Sequence, residues 1–304
     1  MYTHPITFLG LLIAGSSHPA KQSAYDNQQD NIMNRLDFLK EQCTDKKHYP
    51  LLLAACRAAL TGGFILRDLY GKPHTITMKG EINLVTEADV ASETAIVASL
   101  QEDAPDIDVM AEESAGEDLK VPAGKLWVID PLDGTTNFAH GFPIFAVSIA
   151  LMENGQTTIG AVYCPLQDEL FCCWQGGGSW LNGEKIQVTK TDFLVQALVA
   201  TGFPYDIHAK LDAVISQMRA ILPKVRDIRR AGAAAVDLAY VACGRLDGFY
   251  EMDLKPWDTA AGWLLVEEAG GRVTDFAGKK YSPFYPEILA ANSALHPLLV
   301  KQLA

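Results

Sequence analysis

Four consecutive apolar residues, Leu126–Ile129, run without a polar break into Asp130-Pro131-Leu132-Asp133-Gly134. So short a run, apolar at every position and bounded by turn residues, reads as a strand covered on both faces. Strands of that kind occur where helices pack on both sides of a sheet, so the chain is expected to fold in layers. The strand delivers Asp130 at its C-terminal end. Pro131 fixes the next φ and Gly134 permits a tight turn, so Asp133 comes back toward the same point. Asp-Pro and Asp-Gly also serve as plain turn dipeptides, and this segment alone leaves both readings open.

The remaining pattern agrees with layers. Leu51–Tyr70 reads as a Leu- and Ala-rich helix stopped by Gly71 and Pro73, and Glu87–Glu102 as a helix capped by Thr86. Strands are expected at Ile144–Met152 and Thr157–Tyr163 around Asn154-Gly155, then at Glu169–Trp174 and Lys185–Val188 around Asn182-Gly183. Gly176-Gly177-Gly178 reads as a turn between strands. Helices are expected over Ile207–Leu222, Gly232–Cys243 and Trp257–Ala269, with a strand at Leu246–Glu251. Helices first, strands in the middle and a late strand–helix alternation indicate an α+β chain rather than a doubly wound sheet. No repeat or long linker interrupts the chain after residue 33. Residues 33–304 are therefore expected to form a single domain. Residues 1–32, with the short apolar run Ile6–Gly15 and the polar stretch Ser16–Asn31, are expected to be a weakly ordered leader or N-terminal extension.

Composition narrows the partners. Thirty-seven acidic against 25 basic residues give a formal charge of −12. With no basic stripe, this argues against a protein that binds nucleic acid directly by neutralising its phosphates. The Ile6–Gly15 run is much too short to span a bilayer, and no membrane partner is expected. The six cysteines contain no Cys-x-x-Cys pair and read as thiols of a reducing, cytoplasmic compartment. Nucleophile elbows, nucleotide-binding glycine loops and the H-E-x-x-H zinc motif are all missing. The chain offers carboxylates at element ends instead. Glu112 follows the apolar Ile107–Met110, Asp258 sits in the first turn of the helix opening at Pro256, and Asp89 stands at another helix start. An acid in a first turn is favoured by the helix dipole alone. A convergent set of hard oxygen donors would suit Mg²⁺, which takes few carboxylates and keeps water and phosphate as further ligands.

In this order the segments Leu84–Asp89 (LVTEAD), Ala111–Ser114 (AEES), Trp127–Pro143 (WVIDPLDGTTNFAHGFP) and Pro256–Gly262 (PWDTAAG) resemble the inositol monophosphatase family, the Mg²⁺-dependent, lithium-sensitive phosphatases. The resemblance runs from about Leu51 to the C-terminus. It implies a layered α-β-α-β-α sandwich of the sugar-phosphatase type, two or three Mg²⁺ per site, and a homodimer. Glu112, Asp130 and the Leu132 carbonyl would hold one ion; Asp130, Asp133 and Asp258 a second; and Glu112 would help with a third. Thr135, backed by Asp89, would position the attacking water. The backbone N–H groups of Gly134 and Thr135 would meet the phosphate, with Asp133, the backbone of Gly232, Ala233 and Ala234, and Glu251 as further substrate contacts. Ala233 stands where the family often has Ser or Thr, so only backbone contact is expected there. Taken alone, Glu251 reads equally as a solvated acid at a strand end.

The implied reaction is hydrolysis of inositol monophosphate by in-line attack of a metal-activated water. Histidinol phosphate or another small sugar or nucleotide (bis)phosphate is the alternative substrate, with Arg229-Arg230 serving a second phosphate or a subunit contact. A relative of the family can also act as an accessory protein of the transcription machinery.

Overall fold

Alternation along the strands decides the architecture. The computed structural model describes residues 30–72, 76–78, 84–116, 119–121 and 123–303. A seven-stranded sheet carries β3 (Asp108–Ala111), β4 (Lys125–Asp133), β5 (Ala146–Glu153), β6 (Gln156–Cys164), β7 (Glu169–Trp174), β8 (Gly178–Leu181) and β9 (Glu184–Ile186), side by side in that order. Val147, Ile149 and Leu151 of β5 enter one apolar cluster, while Ala146, Ala150 and Met152 enter another. Both faces are therefore covered, as the apolar runs require.

The first face is covered by α2 (Tyr49–Leu69) and α3 (Glu87–Asp103). By length and composition α2 could cross a membrane. Eleven of its residues are buried, among them Leu52, Leu60 and Leu66, in the cluster it shares with the large sheet. It is a core helix of this body. The short α1 (Phe38–Gln42) and residues 30–36, also helical, pack on the same side, with Ile32 and Leu39 fully buried.

The second face meets α6 (Ala234–Ala242) and α7 (Pro256–Glu268). Beyond them lies a five-stranded sheet in the order β11 (Asp227–Arg229), β10 (Leu198–Thr201), β12 (Gly248–Met252), β14 (Glu287–Asn292) and β13 (Gly271–Thr274). Its strands alternate in the same way: Phe249 and Ala290 face the middle helices, and Tyr250 and Leu289 face outward. The outer cluster is closed by Ile221 of α5 (Ile207–Ile221) and Leu299 of α8 (His296–Leu303). The result is a five-layered α-β-α-β-α sandwich. A separate two-stranded pair, β1 (Ile76–Met78) with β2 (Leu84–Thr86), lies before α3.

The boundaries expected from sequence hold to within a few residues, with informative exceptions. The 144 end of β5 retreats to Ala146 because Asn137 Nδ2 donates to the Ile144 carbonyl at 2.7 Å, tying that residue into the preceding loop. The helix expected from Gly232 begins at Ala234. Strands β8, β10, β11, β13 and β14 had no clear period. The boundary at residue 32 falls inside a helical segment with Ile32 buried, and residues 1–29 lie outside the described residues.

Candidate active site

The register of β4 against β5 breaks between Asp130 and Asp133. Asp130 is 1 % exposed, and its Oδ1 accepts from the Leu132 N–H at 3.0 Å, folding the segment into a tight loop. Ser92 of α3 donates to the Pro131 carbonyl at 2.9 Å and fixes the loop from the other side. Gly134 then takes φ +92°, a left-handed conformation open to a residue without Cβ, and starts the short α4 (Thr135–Ala139).

Thr135 Oγ1 lies 2.9 Å from Asp89 Oδ1 and 3.0 Å from the Leu132 carbonyl oxygen. The other Asp89 oxygen accepts from the Thr86 N–H at 2.8 Å and the Thr86 hydroxyl at 2.7 Å, completing the cap of α3. Asp89 is thus a capping residue and a partner of Thr135 at once. Burial raises its pKa, opposed by the hydrogen bonds from Thr86 and Thr135.

Asp133 spans the layers. Its oxygens accept from the N–H groups of Ala234 at 3.2 Å and Ala235 at 2.8 Å, the first turn of α6. Burial nonetheless pushes its carboxyl up to about 7. Asp258 accepts from the Lys255 N–H at 2.6 Å, and burial followed by the Asp133 charge pushes it to about 7 also. Asp130 is pushed well above the carboxylate range by burial, then by the charges of Glu112, Asp133 and Asp258. Glu112 follows β3, with its N–H on the Ile129 carbonyl at 3.1 Å, while the Glu113 N–H is held by Glu93 of α3 at 3.0 Å. Ser148 of β5 donates to the Trp257 carbonyl at 3.1 Å and aligns the start of α7.

The structure therefore brings Asp89, Glu112, Asp130, Asp133, Thr135 and Asp258 to one place. Among the described residues, no three acidic, His or Cys side chains close into a ready-made cage. Asp130, Asp133 and Asp258 each accept from backbone N–H groups, and the charges of the cluster raise the pKa values of Asp130 and Asp258. All donors are oxygens, and their mutual repulsion is of the kind a divalent cation relieves, so the set fits Mg²⁺.

The expected substrate contacts divide. The Ala234 N–H is already engaged by Asp133, and the Ala233 side chain is buried. Asn137 Nδ2 reaches the carbonyls of Ala231 at 2.9 Å and Gly232 at 3.4 Å, drawing that segment against α4. Glu251, at the end of β12, is 8 % exposed, and burial raises its pKa well above the usual range, followed by the Asp237 charge. It is not a solvated acid. A Cβ at Gly202 would stand 2.2 Å from both of its carboxyl oxygens, so the carboxyl lies flat on that glycine. Ser92, Glu93, Asn137, Ser148 and Gly202 escaped the sequence reading. Only Ser148 left a signal there, as a lone polar residue in an apolar strand.

A five-layered sandwich with acids at strand and helix ends beside a Thr–Asp pair defines a class of sugar-phosphate phosphatases. The chain belongs to the inositol monophosphatase family, whose sequence pattern matches residues 48–304. It is 41 % identical over 256 residues to the chloroplastic phosphatase IMPL1 of Arabidopsis thaliana, covering 81 % of this chain and 68 % of that one. It is 40 % identical over 257 residues to the Nus factor SuhB of Escherichia coli, covering 84 % and 94 %. Among solved structures, the suhB extragenic suppressor protein of Bartonella henselae superposes with a TM-score of 0.78 at 38 % identity, covering 83 % of this chain and 98 % of that one. The inositol monophosphatase of Anabaena (Nostoc) does so with 0.75 at 38 %, covering 83 % and 94 %. The protein is a phosphoric monoester hydrolase by family.

Proposed function

We propose that the protein is a Mg²⁺-dependent phosphatase that hydrolyses inositol monophosphate to inositol and phosphate by in-line attack of water. The observation that carries this reading is the Thr135 hydroxyl held between Asp89 and the Leu132 carbonyl, beside four further acids. Glu112, Asp130 and the Leu132 carbonyl would hold one ion and Asp130, Asp133 and Asp258 another, with Glu112 assisting a third. Bound there, Mg²⁺ supplies the positive charge that offsets the phosphate's own and makes a nearby water more acidic.

The chain's residues do the rest. Thr135 has one proton and two acceptors. Turned to Asp89, that proton leaves an oxygen lone pair free to hold the attacking water by one of its hydrogens. As the water's proton moves to Thr135, the Thr135 proton passes to Asp89, whose burial-raised pKa makes it a better acceptor than a solvated carboxylate. The N–H groups of Gly134 and Thr135 face the phosphate at the start of α4. Glu251 and the backbone of Gly232 and Ala233 take the hydroxyls of the alcohol half. No covalent enzyme intermediate is required, which agrees with the missing nucleophile motifs.

Six free cysteines support a reducing, cytoplasmic compartment, and a homodimer is the assembly this reading adopts. The relatives named Nus factor favour a second reading, an accessory protein of the transcription machinery that retains its site. Turnover against capture of transcription proteins separates the two. The decisive experiment measures phosphate release from inositol monophosphate, histidinol phosphate and sugar bisphosphates, with and without Mg²⁺, for the wild type, Asp130→Asn and Asp258→Asn. Metal-independent release, or full activity in both variants, overturns the mechanism.

A further inference from the structure

Helix α6 reads Ala-Ala-Val-Asp-Leu-Ala-Tyr-Val-Ala, and Asp237 is its one charged residue. The helix lies in the apolar middle layer, where Asp237 is 2 % exposed. An acid in a first turn gains a little from the helix dipole, but a carboxyl taken out of water loses far more unless donors meet it. An apolar residue would serve the packing better, so the carboxyl calls for another reason. Among the described residues no hydrogen bond reaches the Asp237 carboxyl, and none reaches that of Glu251 at the end of β12, which is also buried. The largest charge influence on Glu251 is that of Asp237, and its carboxyl lies against Gly202. Asp258 of α7, Asp133 of β4 and Arg230 are the other charges in range of Glu251; Asp133 and Arg230 are those in range of Asp237.

We infer that Asp237 is a positioning residue that holds Glu251 through one shared proton, so that Glu251 meets a hydroxyl of the alcohol half as an acceptor. Two neighbouring carboxyls shut away from water do not both ionise. With one proton between them, one donates and the other accepts, and each finds the partner that the surrounding chain does not supply. A proton directed between the two acids is not directed at the substrate. The outer Glu251 oxygen is then a fixed acceptor, suited to the O–H of a polyol. Without Asp237, Glu251 keeps its own proton and loses that fixed role. The inference rests on the phosphatase reading above and deepens it, tying the preference for a polyol phosphate to a residue that touches neither substrate nor metal.

The test measures kcat and KM with Mg²⁺ for inositol monophosphate and for p-nitrophenyl phosphate, whose alcohol half carries no hydroxyl, in the wild type, Asp237→Asn and Asp237→Leu. Asp237→Leu keeps the volume and removes the partner. It should raise the KM for inositol monophosphate by about 10-fold, with kcat and both constants for p-nitrophenyl phosphate changed by less than about threefold. Asp237→Asn still donates to Glu251 and should stay within about threefold of the wild type on both substrates. Asp237→Ala, expected to show the same split as the leucine variant, replaces it if thermal unfolding shows that Asp237→Leu does not fold. Equal losses on the two substrates in the folded variant assign Asp237 to packing and overturn the inference. So does an unchanged KM for inositol monophosphate, or an asparagine variant as impaired as the leucine one. Each of these leaves the phosphatase reading standing. Absence of Mg²⁺-dependent release from both substrates in the wild type overturns both readings together.

Discussion

The Thr135 hydroxyl stands 2.9 Å from one oxygen of Asp89, whose other oxygen caps α3 through Thr86. One carboxylate therefore joins a helix start to the residue proposed to hold the attacking water. Thr135→Val keeps the shape and removes the hydroxyl. It is expected to lower kcat by about 10²- to 10⁴-fold with a small change in KM, whereas Thr135→Ser should stay within about 10-fold of the wild type. Steady-state kinetics at saturating Mg²⁺ check this; full activity in Thr135→Val would sink the assignment.

Glu251 rests on Gly202. Gly202→Ala should push the carboxyl off its seat and raise the KM for inositol monophosphate by about 10-fold, with kcat changed far less. The fold should survive, because the displaced atoms are the end of a side chain. A KM equal to that of the wild type would separate Glu251 from substrate recognition.

Asp133 and Asp258 titrate near pH 7 without metal, well above the ordinary carboxylate value. The folded state then binds more protons than the unfolded state between about pH 4 and 7. In that window the metal-free protein should lose stability as pH rises. Mg²⁺ binds the deprotonated acids, Asp130 among them, so its affinity should rise with pH through about 7, with proton release on binding. The stabilisation by Mg²⁺ should accordingly be larger at pH 8 than at pH 6. Thermal unfolding with and without chelator, and titration calorimetry in buffers of different ionisation enthalpy, measure both. A pH-independent Mg²⁺ affinity between 5.5 and 8 contradicts the prediction.

His296 behaves in the opposite sense. The Thr274 hydroxyl donates to the Asp275 carbonyl at 2.7 Å, so at 2.9 Å it accepts from His296 Nε2–H, leaving Nδ1 buried without a partner. Protonating Nδ1 would create a buried, unpaired N–H⁺, and burial, with a smaller contribution from Arg272, lowers the pKa to about 4. Below about pH 6.5 the unfolded chain takes up the proton first, so stability should fall as pH drops from 6.5 toward 4. His296→Gln should flatten that part of the acid limb in urea unfolding; an unchanged limb refutes the assignment.

Much of this was readable before folding. The apolar run into Asp130 announced a strand covered on both faces, and the helices at 49–69 and 87–103 announced themselves by composition and by the Thr86 cap. The small sheet was far less legible. β11 has three residues, and β10, β13 and β14 are held by neighbours distant in sequence rather than by a local period. Glu251 illustrates the same limit. Its sequence position suits an exposed acid, whereas in the fold it is buried with its carboxyl against Gly202, 49 residues away in the chain.

What the sequence alone determined is the chemistry and its local placement. Oxygen donors sit at the ends of two strands and the starts of two helices, with no nucleophile-elbow motif, because residue type and capping rules act over a few residues. What the tertiary structure decided is which of those groups meet. Asp133 joins the large sheet to α6, Ser148 aligns α7, and Asp89 reaches Thr135 across 46 residues. Those contacts arise when five layers pack and bury the carboxylates together. Burial also raises their pKa values and makes a divalent cation the natural counterweight to an acidic chain.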